Sequence, residues 1–180
     1  MNELKPAGMR VRDLEKQLEE LDTAQNRLLL AVAYKDAGQL DRAETMLTQT
    51  RQGIYKNDPH VTYDLADVKF QMGKLEDARE LLRELVDVAP EELRGKTRLL
   101  LARAVQAEQP DEADALFQRA ISSFSGEEAR YWYAAFLIAQ GKRDAAEAQV
   151  KTLERNVRRA SGTYRYQQRE WLERATKLLK

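Results

Sequence analysis

The sequence predicts an all-α fold, an α-α superhelix of about four helix pairs with one extra helix at each end. Three observations carry this prediction. Pro and Gly are scarce, 4 and 8 among 180 residues, so long stretches run without a breaker. Those stretches are filled with Ala, Leu, Glu, Arg and Gln, the residues that lose least on entering a helix. Finally, a Gly followed five residues later by Ala recurs in AGQLDRAETML (37–47), MGKLEDARELL (72–82) and QGKRDAAEAQV (140–150). A fourth copy, AEQPDEADALF (107–117), has a turn one residue shorter and no Gly, yet Ala113 and Phe117 keep the spacing of Ala43 and Leu47. Ala43, Ala78, Ala113 and Ala146 are separated by 35, 35 and 33 residues, the interval of a stacked repeat.

Taken in order, residues 1–23 read as an N-terminal helix, with Val11, Leu14, Leu18 and Leu21 making one narrow stripe over Met9–Leu21 that docks on the first repeat. Four helix–turn–helix units follow at 24–57, 58–92, 93–125 and 126–161. The turn Gly supplies left-handed backbone geometry past a helix end, and the small Ala lets the second helix approach the first. Asp58 before Pro59 reads as an N-cap and first-turn pair, Ser125 with Glu128 has capping-box spacing, and Pro90 and Pro110 stand where new helices can begin. Residues 162–180 read as a terminal helix, with Tyr164, Gln168, Trp171, Ala175 and Leu178 along the face that closes the exposed apolar end.

The repeat resembles the tetratricopeptide repeat (TPR) family, whose unit is about 34 residues of paired antiparallel helices. Leu30, Ala31, Tyr34, Gly38, Ala43 and Leu47 follow the family pattern in the first unit; Leu65, Ala66, Gly73, Ala78, Leu82 and Pro90 in the second; Tyr133, Ala134, Leu137, Gly141, Ala146 and Val150 in the fourth. Arg27, Thr62 and Arg130 replace the usual large residue, Lys69 replaces an aromatic, and the third unit is loose. The resemblance covers residues 24 to 160 or so and implies a concave surface lined by the first helix of each unit.

Helical phase then divides the aromatic-rich stretch ARYWYAAFLIAQG (129–141). Tyr133 and Phe136 fall on the packing side, whereas Tyr131, Ala135 and Ile138 point the other way, with Trp132 at the margin. The equivalent positions are Leu28, Val32 and Lys35 in the first unit, Tyr63, Asp67 and Phe70 in the second with Asp64 at the edge, and Leu99, Arg103 and Gln106 in the third. These residues are the expected peptide-binding groove, with Asp67 and Arg103 placed to pair with each other or to orient a ligand. Leu28 and Val32 stand where the clamp for acidic chaperone tails needs Lys and Asn, so that specialisation is not expected.

The sequence contains no Cys and one His, His60, in a helix's first turn, which removes thiol chemistry and any soft metal site. There is no phosphate-binding Gly loop and no GxSxG elbow. The expectation is a non-catalytic interaction scaffold with no catalytic residue, metal or cofactor, and with a protein or peptide partner. Charge is unevenly spread: residues 151–180 carry nine basic groups against three Glu, net +6, which leaves −6 on residues 1–150. Arg155, Arg158, Arg159, Arg165 and Arg169 form a candidate basic patch, and its alternative uses are self-association with an acidic face of a second copy or, a weaker reading, RNA binding. No apolar run reaches the roughly 18 residues of a membrane span, and MNELKPAGMRVRD lacks a signal-peptide core. The chain as given is expected to be soluble and cytoplasmic, or, by similarity to TPR regions of bacterial envelope proteins, the soluble part of a membrane-tethered bacterial protein.

Overall fold

The computed structural model describes residues 7–53, 55–124 and 126–180, and the regular structure among them is entirely helical. The chain divides into two compact units, residues 1–88 and 89–180. No described helix is long and apolar enough to cross a membrane.

The first unit contains α1 (Ala7–Glu20), α2 (Ala24–Asp36), α3 (Leu40–Arg51), α4 (Pro59–Gln71) and α5 (Leu75–Leu85). Each helix packs on its successor, and α2 also meets α4. Caps set the starts: Thr23 accepts from the Asn26 N–H, and Asp58 accepts from the N–H groups of His60 and Val61, with Pro59 in the first turn. The turns close through left-handed glycines, Gly38 at φ +72 and Gly73 at φ +76. Each lets an N–H reach back five residues, Gln39 to the Tyr34 carbonyl at 2.8 Å and Lys74 to the Lys69 carbonyl at 2.9 Å. Behind each turn Ala43 or Ala78 is fully buried beside Leu47 or Leu82. Burying one such Leu contributes roughly 1.5–3 kcal/mol.

Docking of α1 on α2 uses Val11, which is buried, but not Leu21, which is 62% exposed. The expected stripe is one residue too long, because α1 ends at Glu20 and Leu21 sits in the link to α2. Polar contacts complete the joint: the Tyr34 hydroxyl donates to Glu15 at 2.8 Å and Gln17 donates to Asn26 at 2.9 Å. Lys69, standing where an aromatic was expected, instead reaches Glu44 at 3.0 Å and Asp77 at 2.6 Å, while Lys74 reaches Glu44 at 2.7 Å. An ion cluster thus ties α3, α4 and α5 together.

The second unit contains α6 (Glu91–Val105), α7 (Pro110–Ser123), α8 (Glu128–Ala139), α9 (Arg143–Arg159) and α10 (Gly162–Leu178). The turn before α9 repeats the glycine geometry, with Gly141 at φ +73 and Lys142 N–H donating to the Leu137 carbonyl at 2.9 Å. Before α7 the arrangement differs: Gln109 N–H reaches back only four residues, to the Val105 carbonyl at 2.8 Å. That shorter turn needs no left-handed residue, which explains its missing Gly. Pro90 immediately precedes α6 and Pro110 opens α7. Ser125 of the expected capping box lies outside the described residues.

Phe117 anchors this unit's core against Phe136 and Tyr133, with ring centroids 5.2 and 5.7 Å away. Gly95 allows α6 to lie directly against the end of α7; a Cβ there would stand 2.5 Å from the Ser123 carbonyl oxygen. The terminal helix α10 packs on α8 and α9. It begins at Gly162, where Ser161 accepts from the Tyr164 N–H as its N-cap.

Candidate functional site

In the first unit, the expected surface lies on α2 and α4. Leu28, Val32, Lys35, Tyr63, Asp64, Asp67 and Phe70 are all half-buried there. Lys35 binds both carboxylates, Asp64 at 3.1 Å and Asp67 at 3.0 Å. Burial alone would lower the Lys35 pKa, but the fields of Asp64 and Asp67 and their hydrogen bonds outweigh it and hold it above its ordinary value. One ammonium between two carboxylates leaves this patch with an acidic excess beside the rings of Tyr63 and Phe70.

In the second unit, Arg103, Gln106, Tyr131, Trp132, Ala135 and Ile138 are likewise half-buried. Leu99 is not among them; it is buried in the unit's interior, so it lines no surface. The Arg103 guanidinium lies over the Trp132 ring at 3.9 Å. Tyr131 meets Trp132 edge-on at 5.0 Å and Trp171 of α10 at 5.5 Å, and Arg174 lies 5.1 Å from the Trp171 ring. A ladder of two cations and three aromatics therefore spans α6, α8 and α10, each rung of the kind that attracts through the ring quadrupole. Tyr131 is partly covered by the terminal helix. Trp132 Nε1 is buried and has no hydrogen-bond partner among the described residues.

Asp67 thus has Lys35 for a partner and Arg103 has Trp132, a division the sequence reading did not assign. Trp171 and Arg174 were not singled out as ladder members, although their three-residue spacing puts them on one face. The basic residues Arg155, Arg158, Arg159, Arg165 and Arg169 are all exposed around the turn between α9 and α10. Tyr166, 67% exposed, carries Arg169 over its ring at 4.5 Å. His60 is an exposed first-turn residue whose N–H donates to Asp58 at 2.8 Å. Among the described residues no group of three or more His, Cys, Asp or Glu is placed to hold a metal. A cavity of about 610 Å³ in the first unit, lined by Thr48, Arg51, Gln52, Lys56, Asn57, Leu65 and Glu84, includes none of the expected site residues.

The tetratricopeptide repeat family model matches residues 26–49, 59–84 and 128–151. The pair α6 and α7, with its shorter turn, lies outside those segments. No curated protein sequence matches the chain. Among solved structures, MamA from Desulfovibrio magneticus RS-1, from residue 41 to its end, superposes with a TM-score of 0.70 at 17% identity, over 83% of this chain and 86% of that one. A putative kinesin light chain from Podosopora anserina with nearly identical TPR-like repeats gives 0.67 at 21% identity, over 82% and 85%. A further MamA crystal structure gives 0.63 at 16% identity, over 93% and 85%. At these identities the likeness speaks to the fold.

Proposed function

We propose that the chain, three segments of which match the tetratricopeptide repeat model, is a non-catalytic protein interaction scaffold that takes a peptide or protein segment on the half-exposed faces of its first helices. Those helices belong to the units read at 24–57, 58–92, 93–125 and 126–161. The observation that carries the reading is the character of the two faces. Apolar and aromatic side chains stay half-exposed on helices whose opposite sides are fully packed, and each face carries polar groups already fixed in position. Lys35 is held by two aspartates in the first unit, and Arg103 by Trp132 in the second. Large aromatics beside oriented charges supply contact area at modest entropy cost, the composition of binding hot spots. No cofactor or nucleic acid enters this reading.

The test is selection of peptides from a displayed library on the immobilised protein, followed by titration of the selected peptides. Tyr63→Ala and Ala135→Glu are each expected to weaken capture by about tenfold or more while the melting curve stays in place. Undiminished affinity in both variants would remove the assignment of these faces.

A further inference from the structure

The strongest unassigned surface is the exposed arginine corner between α9 and α10. Arg155, Arg159 and Arg165 have no ion-pair partner among the described residues, and Arg158 reaches only Glu154, at 3.9 Å. Tyr166 beside them is one of four large apolar side chains left exposed among the described residues. Another of the four, Val88 at 71% exposure, ends an opposite kind of surface in the first unit. There Glu76, Glu80, Glu84 and Asp87 stand exposed along the outer side of α5 and its C-terminal turn, with Arg83 the single cation among them. Glu76 and Glu84 are engaged by Arg79 and Arg51, at 2.9 and 2.6 Å, while Glu80 and Asp87 are unpaired among the described residues.

We propose that these two surfaces are the two halves of one self-association contact, in which the acidic ridge of α5 on one copy docks against the basic α9–α10 corner of a second copy. Three features favour a second copy as occupant. The signs are opposite, and the chain as a whole is neutral, so copies do not repel one another at long range. Glu80 and Glu84 share the four-residue helical spacing of Arg155 and Arg159; Glu80 is unpaired among the described residues, and Glu84, bridged to Arg51 through Oε2, keeps its other carboxylate oxygen for a guanidinium. Each patch also carries one exposed apolar residue, Val88 or Tyr166, able to fill the centre of a polar contact. The two patches are different, so the contact is heterologous and each bound copy retains a free half. None of the ridge or corner residues belongs to the peptide-binding faces, so this inference and that reading fail independently.

Sedimentation velocity of the full chain at low salt, about 20 mM, and at about 500 mM, where exposed charges are screened within a few ångströms, tests the contact. At low salt the mass should exceed the monomer's 20.7 kDa and rise with concentration; at high salt it should return to that value. Glu80→Arg with Asp87→Arg, and separately Arg155→Glu with Arg159→Glu, should each give monomers at low salt with unchanged circular dichroism. Mixed together, the two variants retain one intact ridge and one intact corner, so the mixture should form pairs of twice 20.7 kDa and stop there. Monomeric wild type at low salt, association indifferent to salt, or a mixture that stays monomeric would each overturn the proposal. So would a monomer that instead binds a single-stranded oligonucleotide or phosphatidylserine vesicles through the corner.

Discussion

The Tyr164 hydroxyl donates to Glu127 Oε1 at 3.1 Å and so fastens the terminal helix α10 to the residue that precedes α8. Asn156 of α9 donates to the same oxygen at 3.0 Å, and Gln168 of α10 accepts from the Glu127 N–H at 2.9 Å. Three side chains therefore converge on a residue that is only 4% exposed. The helix they hold has a single fully buried side chain, Ala175, so these polar contacts add to the half-buried Trp171 and Leu178 in docking it. Tyr164→Phe should cost about 1 kcal/mol and quicken amide hydrogen exchange in α10 about fivefold, with α6 unaffected. Glu127→Ala leaves two donors without an acceptor and should cost about 2–4 kcal/mol by urea unfolding, more than Glu127→Gln.

Acid should loosen the first unit through Glu44. The hydrogen bond from Lys74, opposed by partial burial and reinforced by Lys69, holds the Glu44 carboxyl below its ordinary pKa of 4.5. A carboxyl depressed in the folded state stabilises the fold above the unfolded value, and that contribution disappears as pH falls through the folded value. Urea midpoints should therefore decline below pH 4.5 or so in the wild type, and Glu44→Gln should be less stable near neutrality and show a flatter acid limb.

Base should act on the joint between α1 and α2. Burial, then the hydrogen bond to Glu15, pushes the Tyr34 phenol from its ordinary 10.0 up to about 12. A folded pKa raised above the unfolded one stabilises the fold fully below the lower value, and the effect is lost as pH climbs through the higher. Tyr133 and Tyr164 are also raised, so tyrosinate absorbance should show a late-titrating fraction whose component near pH 12 Tyr34→Phe removes, and that variant should exchange α1 amides faster at neutral pH.

Gly95→Ala should destabilise the second unit by about 3 kcal/mol, because the new Cβ meets backbone atoms, the Ser123 carbonyl at 2.5 Å and the Phe124 Cα at 2.9 Å, which cannot rotate aside. Gly162→Ala, with nothing within 4 Å, should be neutral or stabilising by up to about 0.5 kcal/mol. Thermal melts of the two variants provide the comparison.

These cases mark what the sequence discloses. Gly38, Gly73 and Gly141 could be placed because left-handed geometry is a local demand, and Ala43, Ala78, Ala113 and Ala146 because a fixed interval exposes a shared packing role; all four Ala side chains are fully buried. Gly95 was opaque: inside a helical pattern it looks like a weak helix former, and only the arrival of Ser123, 28 positions later, gives it a reason. Lys69 was visible as a departure, but its explanation lies in Glu44 and Asp77 from two other helices. For the candidate site, helical phase grouped side chains of α2, α4 and α8 that are half-buried in the structure. It could not find that Trp171 would lie against Tyr131, since which helix covers which is settled by packing at long range. Leu99 shares the phase of Arg103 and Gln106, which are half-buried, yet is itself buried, a difference that packing decides and phase does not reveal.

The ladder from Arg103 to Arg174 has an optical consequence. Trp132 and Trp171 are the only two tryptophans in the chain, both lie in the second unit, and Tyr131 touches both rings. Excited selectively, the protein's indole emission reports on a single cluster whose two emitters sit on different helices. Departure of α10 strips Trp171 from Tyr131 while Arg103 still shields Trp132, so the spectrum should split into a wet and a dry emitter before the second unit unfolds. The molecule thus carries a built-in gauge that distinguishes release of its last helix from loss of the unit beneath it.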